Sequence, residues 1–344
     1  MARDPITIDL ALQGGGAHGA FTWGVLDRLL EEAWLSYDGI SGTSAGAMNA
    51  AVMASGFAKG GRDGAREALA AFWRRVSDAA AFSPFRRTPL DVMLGRWSLD
   101  NSPLFIAMDL MSRVFSPYEL APHLPNPLEP ILAEQVDFGA VADGPIKVFV
   151  TATNVRTGRG RVFRNRDLTP QALLASACLP TLFQAVEIEG EPYWDGGYSG
   201  NPTLTPLVRE CEPGDLVIVP INPVERPGTP MSARDILNRL NEVSFNSSLL
   251  KELRMIALLR QALPQGSKVQ LTGDAARWAQ MRVHVVPNDV MAELGYSSKL
   301  NAEWEFLTML RDEGRAAAQR FLDGPARKLG QDSSLPFDML AMEA

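Results

Sequence analysis

Apolar positions along this chain recur with two different periods, and the switching between them lays out the elements. Residues 6–12 (ITIDLAL) are β-branched and apolar almost throughout, the pattern of a buried strand. After a glycine-rich turn over 14–19, Phe21, Val25, Leu26, Leu29 and Leu30 recur at helical spacing, which predicts a helix over 20–33. A short strand is expected over 37–41. The run of small residues and methionine from Ser44 to Gly56 predicts a buried helix, and 64–77 a further one. Strand patterns return at 146–153, 160–163, 185–188, 216–220 and 282–286, with helices over 169–177, 233–262 and 298–322. Strands alternating with helices predict α/β layering.

Residues 81–130 break this texture. Prolines and aromatics crowd together, and 104–115 reads as an amphipathic helix. Phe82, Phe85, Trp97, Leu104, Phe105, Ile106, Met108, Leu110, Met111, Val114 and Phe115 give the segment apolar mass. Two uses fit it: a cap or lid over an apolar pocket, or a satellite core packed on the sheet. Arg86 and Arg87 beside those aromatics read as a solvated loop, with contact to anionic headgroups as the other reading. Trp304, Leu307, Leu310 and Phe321 fall at roughly helical spacing and are expected in the core, whereas 251–260 reads as a surface helix. No linker separates the C-terminal helices, so 1–344 is expected to be a single domain. Its motifs lie in 6–220, 81–130 is an excursion, and 231–344 packs on the same core.

Composition narrows the classes. A net charge of −7 argues against a nucleic-acid binder, which would carry a basic stripe. The two cysteines, Cys178 and Cys211, are too few for a metal cluster and read as small buried apolar residues. The first residues lack the apolar region of a signal peptide, and no run reaches the ~20 apolar residues that span a bilayer. A cytoplasmic protein is the expectation, with peripheral contact at a membrane left open.

The chemistry centres on Gly42-Thr43-Ser44-Ala45-Gly46, a G-x-S-x-G placed after a strand and before a helix, the context of a nucleophile elbow. A serine hydroxyl needs a base. The histidines are His18, in the glycine loop, His123, in the proline-rich segment, and His284, alternating within a strand; none stands in a triad-like motif. Asp195, followed by Gly196 and Gly197, offers a carboxylate that burial would make basic enough to take the serine proton. Asn49, one helical turn beyond the serine, reads as a buttress.

GGGAHG, GTSAG and DGG in one chain together resemble the patatin-like phospholipases, lipid acyl hydrolases with a Ser-Asp dyad. The resemblance covers roughly 6–220 and includes the block SACLPTLFQAVEIEGEPYWDGGYSGNPTLTPL. It implies a three-layer α/β/α fold around a mixed, mainly parallel sheet. It also implies Ser44 as nucleophile, Asp195 as base, and the amides of Gly14, Gly15 and Gly16 as oxyanion hole, with no cofactor or metal. His18 stands where the family often has Arg or Lys. The expected substrate is a lipid or other acyl ester. An acyltransferase, thioesterase or polyester depolymerase would use the same dyad. A dinucleotide-binding protein using Gly14, Gly16, Gly19 and Asp38 would leave GTSAG and DGG unexplained, and a non-catalytic member of the fold would leave Ser44 and Asp195 without a purpose.

Overall fold

The computed structural model describes residues 4–81, 83, 85–120, 126–212, 214–262 and 271–337. Its strands are β1 (Ile6–Leu12), β2 (Leu35–Gly42), β3 (Lys147–Asn154), β4 (Gly160–Arg164), β5 (Val186–Ile188), β6 (Glu191–Asp195), β7 (Asp215–Val219) and β8 (Arg282–Val285). They form one sheet in the order β5-β6-β3-β2-β1-β7-β8, with β4 also paired to β3. The pairs joining β3, β2, β1, β7 and β8 are parallel. Those involving β4, β5 and β6 are antiparallel.

The helices are α1 (Gly19–Leu29), α2 (Ala45–Ala80), α3 (Pro89–Met93), α4 (Pro103–Ser112), α5 (Pro117–Leu120), α6 (Leu128–Gln135), α7 (Phe138–Ala142), α8 (Pro170–Ser176), α9 (Thr205–Glu210), α10 (Ala233–Gln261), α11 (Gly273–Gln280) and α12 (Trp304–Asp323). Period-two alternation divides them between the faces of the sheet. Ile8, Leu10 and Leu12 enter one core with Phe21 of α1, Val52 of α2 and Phe306 of α12. Ala11, Phe149 and Ile218 enter another with Leu207 of α9, Leu253 of α10 and Trp278 of α11. The result is the three-layer α/β/α architecture with a mixed, mainly parallel sheet.

Three differences from the sequence pattern matter. The two expected helices at 44–56 and 64–77 are joined across a break at Gly60 and Gly61, whose backbone is non-helical. α12 begins at Trp304 rather than 298, because Tyr296–Leu300 forms a separate 3-10 turn and Glu303 is extended. β6 is absent from the sequence pattern. It returns from β5 through Glu189 and Gly190, both at positive φ, the geometry of a two-residue hairpin.

The excursion is anchored at its base. Arg87 is a correction to the solvated-loop reading: it is buried, its Nε donates to Glu303 at 2.8 Å, and its guanidinium lies 4.1 Å from the Trp97 ring centroid. Arg86 is exposed. Trp97 in turn stacks on Phe306. The outer faces of α3, α4 and α5 stay open, with Met93, Leu110 and Tyr118 at 84%, 58% and 57% exposure, and so does Val114, between α4 and α5, at 73%. Phe82, His123 and the tail beyond 337 lie outside the described residues.

Candidate active site

The sheet itself brings the serine and the aspartate together. β2 runs parallel to β3 and ends with Gly42 opposite Val150. β6 runs antiparallel to β3 and ends with Asp195 opposite Ala152. β4 pairs with Phe149 to Thr153, a stretch overlapping both, so β2 and β6 must share the other edge of β3. Their ends point at each other with one residue, Thr151, between them.

Ser44 follows β2 and precedes α2, at φ 54° and ψ −122°. For a non-glycine residue this backbone geometry stores strain of about 1–3 kcal/mol, which the surrounding structure must hold. The turn is held by its neighbours: the Ser44 amide donates to Ser176 Oγ at 2.9 Å, and Thr43 Oγ1 donates to the Gly200 carbonyl at 2.7 Å. Gly46 is required by close approach, since a Cβ there would strike the Leu12 carbonyl. The Ala45 amide opens α2, at the helix end that favours negative charge. Asn49 buttresses the elbow as expected. Its Nδ2 donates to the carbonyls of Gly19 and Ala45, and its Oδ1 accepts from Trp73 Nε1.

Asp195 is buried, and its Oδ1 accepts the Gly197 amide at 2.7 Å. Burial pushes its carboxyl up to about 7, against the Gly197 amide, the Ser44 side chain and the Lys299 charge, which all favour the carboxylate. Its backbone is fixed at both ends, with the amide donating to the Cys178 carbonyl and its own carbonyl accepting from Thr153 Oγ1. Cys178 and Cys211 are both buried and free.

The glycine loop is occupied unevenly. The Gly14 amide already donates to Asn201 Oδ1 at 2.7 Å, so it has no hydrogen left for a substrate oxygen, a correction to the three-glycine oxyanion hole. Among the described residues the amides of Gly15 and Gly16 donate to no protein acceptor, and both residues line the cavity beside Ser44. The histidines turn elsewhere. Ser298 Oγ donates to the Gly295 carbonyl, so Ser298 Oγ accepts from His18 Nε2 at 2.8 Å. Burial holds His18 well below its ordinary range, helped by the charges of Lys299 and Arg226. His284 Nε2 bonds Asp215.

Asp38, the acid a dinucleotide ribose would need, sits midway along the β1–β2 ladder rather than at the loop. It pairs with Lys147 at 3.0 Å and accepts the Glu212 amide, which ends that reading. Asp9 and Cys211 lie beside it, and Lys147 supplies the cation of that cluster.

A cavity of about 290 Å³ opens beside Ser44 and Asp195. Met48, Phe72, Trp73, Val76, Leu128, Leu179, Leu182 and Phe183 make most of its wall apolar. Lys299, Tyr296, Asn241 and Phe245 also line it, and sequence reasoning singles out none of the four. An apolar pocket with a few convergent polar groups at one end suits an acyl chain whose carbonyl must lie at a fixed point.

The family model described as patatin-like phospholipase matches residues 10–208. The chain is similar to VipD from Legionella pneumophila, with 14% identity, 93% of this chain and 67% of that one covered, and a TM-score of 0.37. It is also similar to the heterodimeric ExoU–SpcU complex from the type III secretion system of Pseudomonas aeruginosa, with 17% identity, 99% and 75% covered, and a TM-score of 0.30. A search of curated proteins finds no match.

Proposed function

Because this chain belongs to the patatin-like phospholipase family, we propose that it is a lipid acyl hydrolase of phospholipase A or lysophospholipase type, with Ser44 as nucleophile and Asp195 as its base. The observation that carries the reading is the meeting of the β2 and β6 ends, where a buried carboxyl raised to about 7 faces a serine on a strained turn. A base with that pKa is matched to neutral pH.

Ser44 Oγ attacks the ester carbonyl carbon while its proton passes to Asp195. The carbonyl oxygen becomes an oxyanion against the Gly15 and Gly16 amides, each such donor being worth about 3 kcal/mol in the transition state. Collapse breaks the C–O bond, and the leaving alcohol takes the proton from Asp195. A water then attacks the acyl-enzyme, giving its proton to Asp195, which returns it to Ser44 as the fatty acid leaves.

The exposed apolar faces of α3, α4 and α5 are read as the surface that meets lipid. α5 adjoins the cavity wall, since Tyr118 Oη accepts the Ala185 amide at 3.1 Å, two residues beyond Phe183. α10 continues the surface, with Asn241 and Phe245 lining the cavity while Ile236, Leu237, Leu240 and Val243 are exposed. Among the described residues no helix is long and apolar enough to cross a membrane, so contact would be peripheral.

The test is labelling by a fluorophosphonate together with fatty-acid release from a lipid panel, comparing wild type with Ser44→Ala and Asp195→Asn. Labelling that persists in Ser44→Ala sinks the proposal. Turnover of thioesters or hydroxyacid polyesters in preference to glycerolipids would keep the dyad and change the substrate.

A further inference from the structure

Behind the glycine loop stands a half-buried cation to which the acyl-transfer steps assign no role. Lys299 arrives on the 3-10 turn Tyr296–Leu300. Its backbone carbonyl presses on Gly16, at φ 59°, where any Cβ would collide with it. Its ammonium donates to Asn222 Oδ1 at 2.7 Å. The same carboxamide donates through Nδ2 to the Gly14 carbonyl oxygen at 3.0 Å and, at 3.4 Å, to Gln13 Oε1, which also accepts the Asn222 backbone amide at 2.9 Å.

The Gly14 carbonyl and the Gly15 N–H belong to one peptide group. A line of aligned dipoles therefore runs from the Lys299 ammonium, through the Asn222 carboxamide, to the Gly15 N–H. Each hydrogen bond in such a chain polarises the next, and a carbonyl drawn on by a charge-backed donor leaves its own N–H more acidic. The neighbouring peptide is held from the other side, where the Gly14 amide donates to Asn201.

We propose that Lys299, acting through Asn222, is a positioning residue that fixes and polarises the Gly14–Gly15 peptide so that its N–H binds the oxyanion. This rests on the reading of Ser44 and Asp195 as the catalytic pair and of Gly15 as an oxyanion donor. Glu242 and Asp195 favour the Lys299 charge, Arg226 opposes it, and Tyr296 places its ring centroid 5.6 Å from Nζ. His18, close enough for the Lys299 charge to disfavour its protonation, is neutral. Burial, the largest influence, brings Lys299 down to about 8. The relay is thus charged at neutral pH and loses its charge as pH rises past that value.

The experiment uses the full chain and a soluble neutral p-nitrophenyl ester. It measures kcat and KM from pH 6 to 10, with fluorophosphonate labelling rates alongside, for wild type, Lys299→Met, Lys299→Arg, Asn222→Ala, the Lys299→Met/Asn222→Ala double variant and Ser44→Ala. Lys299→Met should lower kcat about tenfold or more with KM changed less than about threefold, since a weakened oxyanion donor acts in the transition state. Lys299→Arg should recover most of kcat and abolish the fall in kcat on the alkaline side, because arginine stays charged there. The double variant should be no worse than the poorer single, as expected for one line of action. Wild-type kcat in Lys299→Met, a loss confined to KM, or an alkaline limb unchanged in Lys299→Arg would overturn the relay. If Lys299→Met does not fold, the Lys299→Arg profile and Asn222→Ala decide in its place. Labelling that survives Ser44→Ala, or no labelling of wild type, overturns the catalytic reading and the relay with it. Loss of labelling in Ser44→Ala beside an unimpaired Lys299→Met overturns the relay alone.

Discussion

Replacing Asp195 by Asn should make the protein more stable and nearly inactive at once, and the size of the gain follows from where the carboxyl sits. Asn is isosteric, and its Oδ1 can still accept the Gly197 amide. What it removes is a charge held out of water. The carboxyl titrates near 3.8 when exposed and at about 7 in the folded chain. At 1.36 kcal/mol for each pH unit, that gap is roughly 4 kcal/mol against the ionised form. Its sign is fixed by proton counting. Between about pH 4 and 7 the folded state keeps a proton that the unfolded state has released, so wild-type stability falls as pH rises through that window and then levels off. A carboxamide at this position does not titrate and has no such slope. Asp195→Asn should therefore match wild type near pH 4, gain progressively to pH 7, and hold a plateau of up to roughly 4 kcal/mol above it. Thermal unfolding across a pH series reads this as a rise of several degrees at pH 8. Ester hydrolysis by the same samples should fall by about 10³-fold, the scale of a lost general base. A variant less stable than wild type at pH 8, or a difference that does not grow between pH 4 and 7, would refute the claim that burial raises this carboxyl. A variant that retained a tenth of wild-type activity would refute its role as the base.

Wild-type kcat should rise with pH through about 7 as Asp195 ionises, a limb read directly from a pH–rate profile and absent in Asp195→Asn. Glu303→Ala strips the nearer carboxylate from buried Arg87, leaving only exposed Glu305 at 3.8 Å, and should cost about 3 kcal/mol by denaturant unfolding, whereas Arg87→Met/Glu303→Met should be close to neutral; equal losses would show that the pair itself stabilises the base of the excursion. Leu110→Asp with Val114→Asp should reduce hydrolysis of lipid in vesicles about tenfold while leaving soluble-ester turnover unchanged, because both side chains are exposed and outside the cavity wall; equal effects on both substrates would remove this face from lipid contact.

What could be foreseen from the sequence is what chemistry forces into short range. The elbow serine must stand between a strand and a helix with small residues around it, so GTSAG is legible as a string. The long strands declare themselves by apolar alternation or by unbroken apolar runs. β6 is hidden because it carries Pro192 and is reached through a turn that places Glu189, not a glycine, at positive φ. Yet β6 is the strand that delivers Asp195, so the motif is visible in the sequence while the reason it reaches Ser44 is not. That reason is the shared edge of β3, a property of pairing between segments some 40 to 110 residues apart.

The same limit governs the proposed oxyanion donors. Three consecutive glycines look equivalent in the sequence, and only the tertiary hydrogen bonds separate them. Asn201, 187 residues away, consumes the Gly14 amide, while Asn222, itself bonded by Lys299, takes the far side of the next peptide. His18, by contrast, carries no charge to lend to the loop. The positive charge that serves this loop thus comes from a different place in the chain than the loop's own sequence suggests, on a turn that helical periodicity merges into α12. A neutral residue at position 18 is then compatible with an active enzyme, provided the ammonium of Lys299 and the carboxamide of Asn222 keep the Gly15 N–H turned toward the cavity.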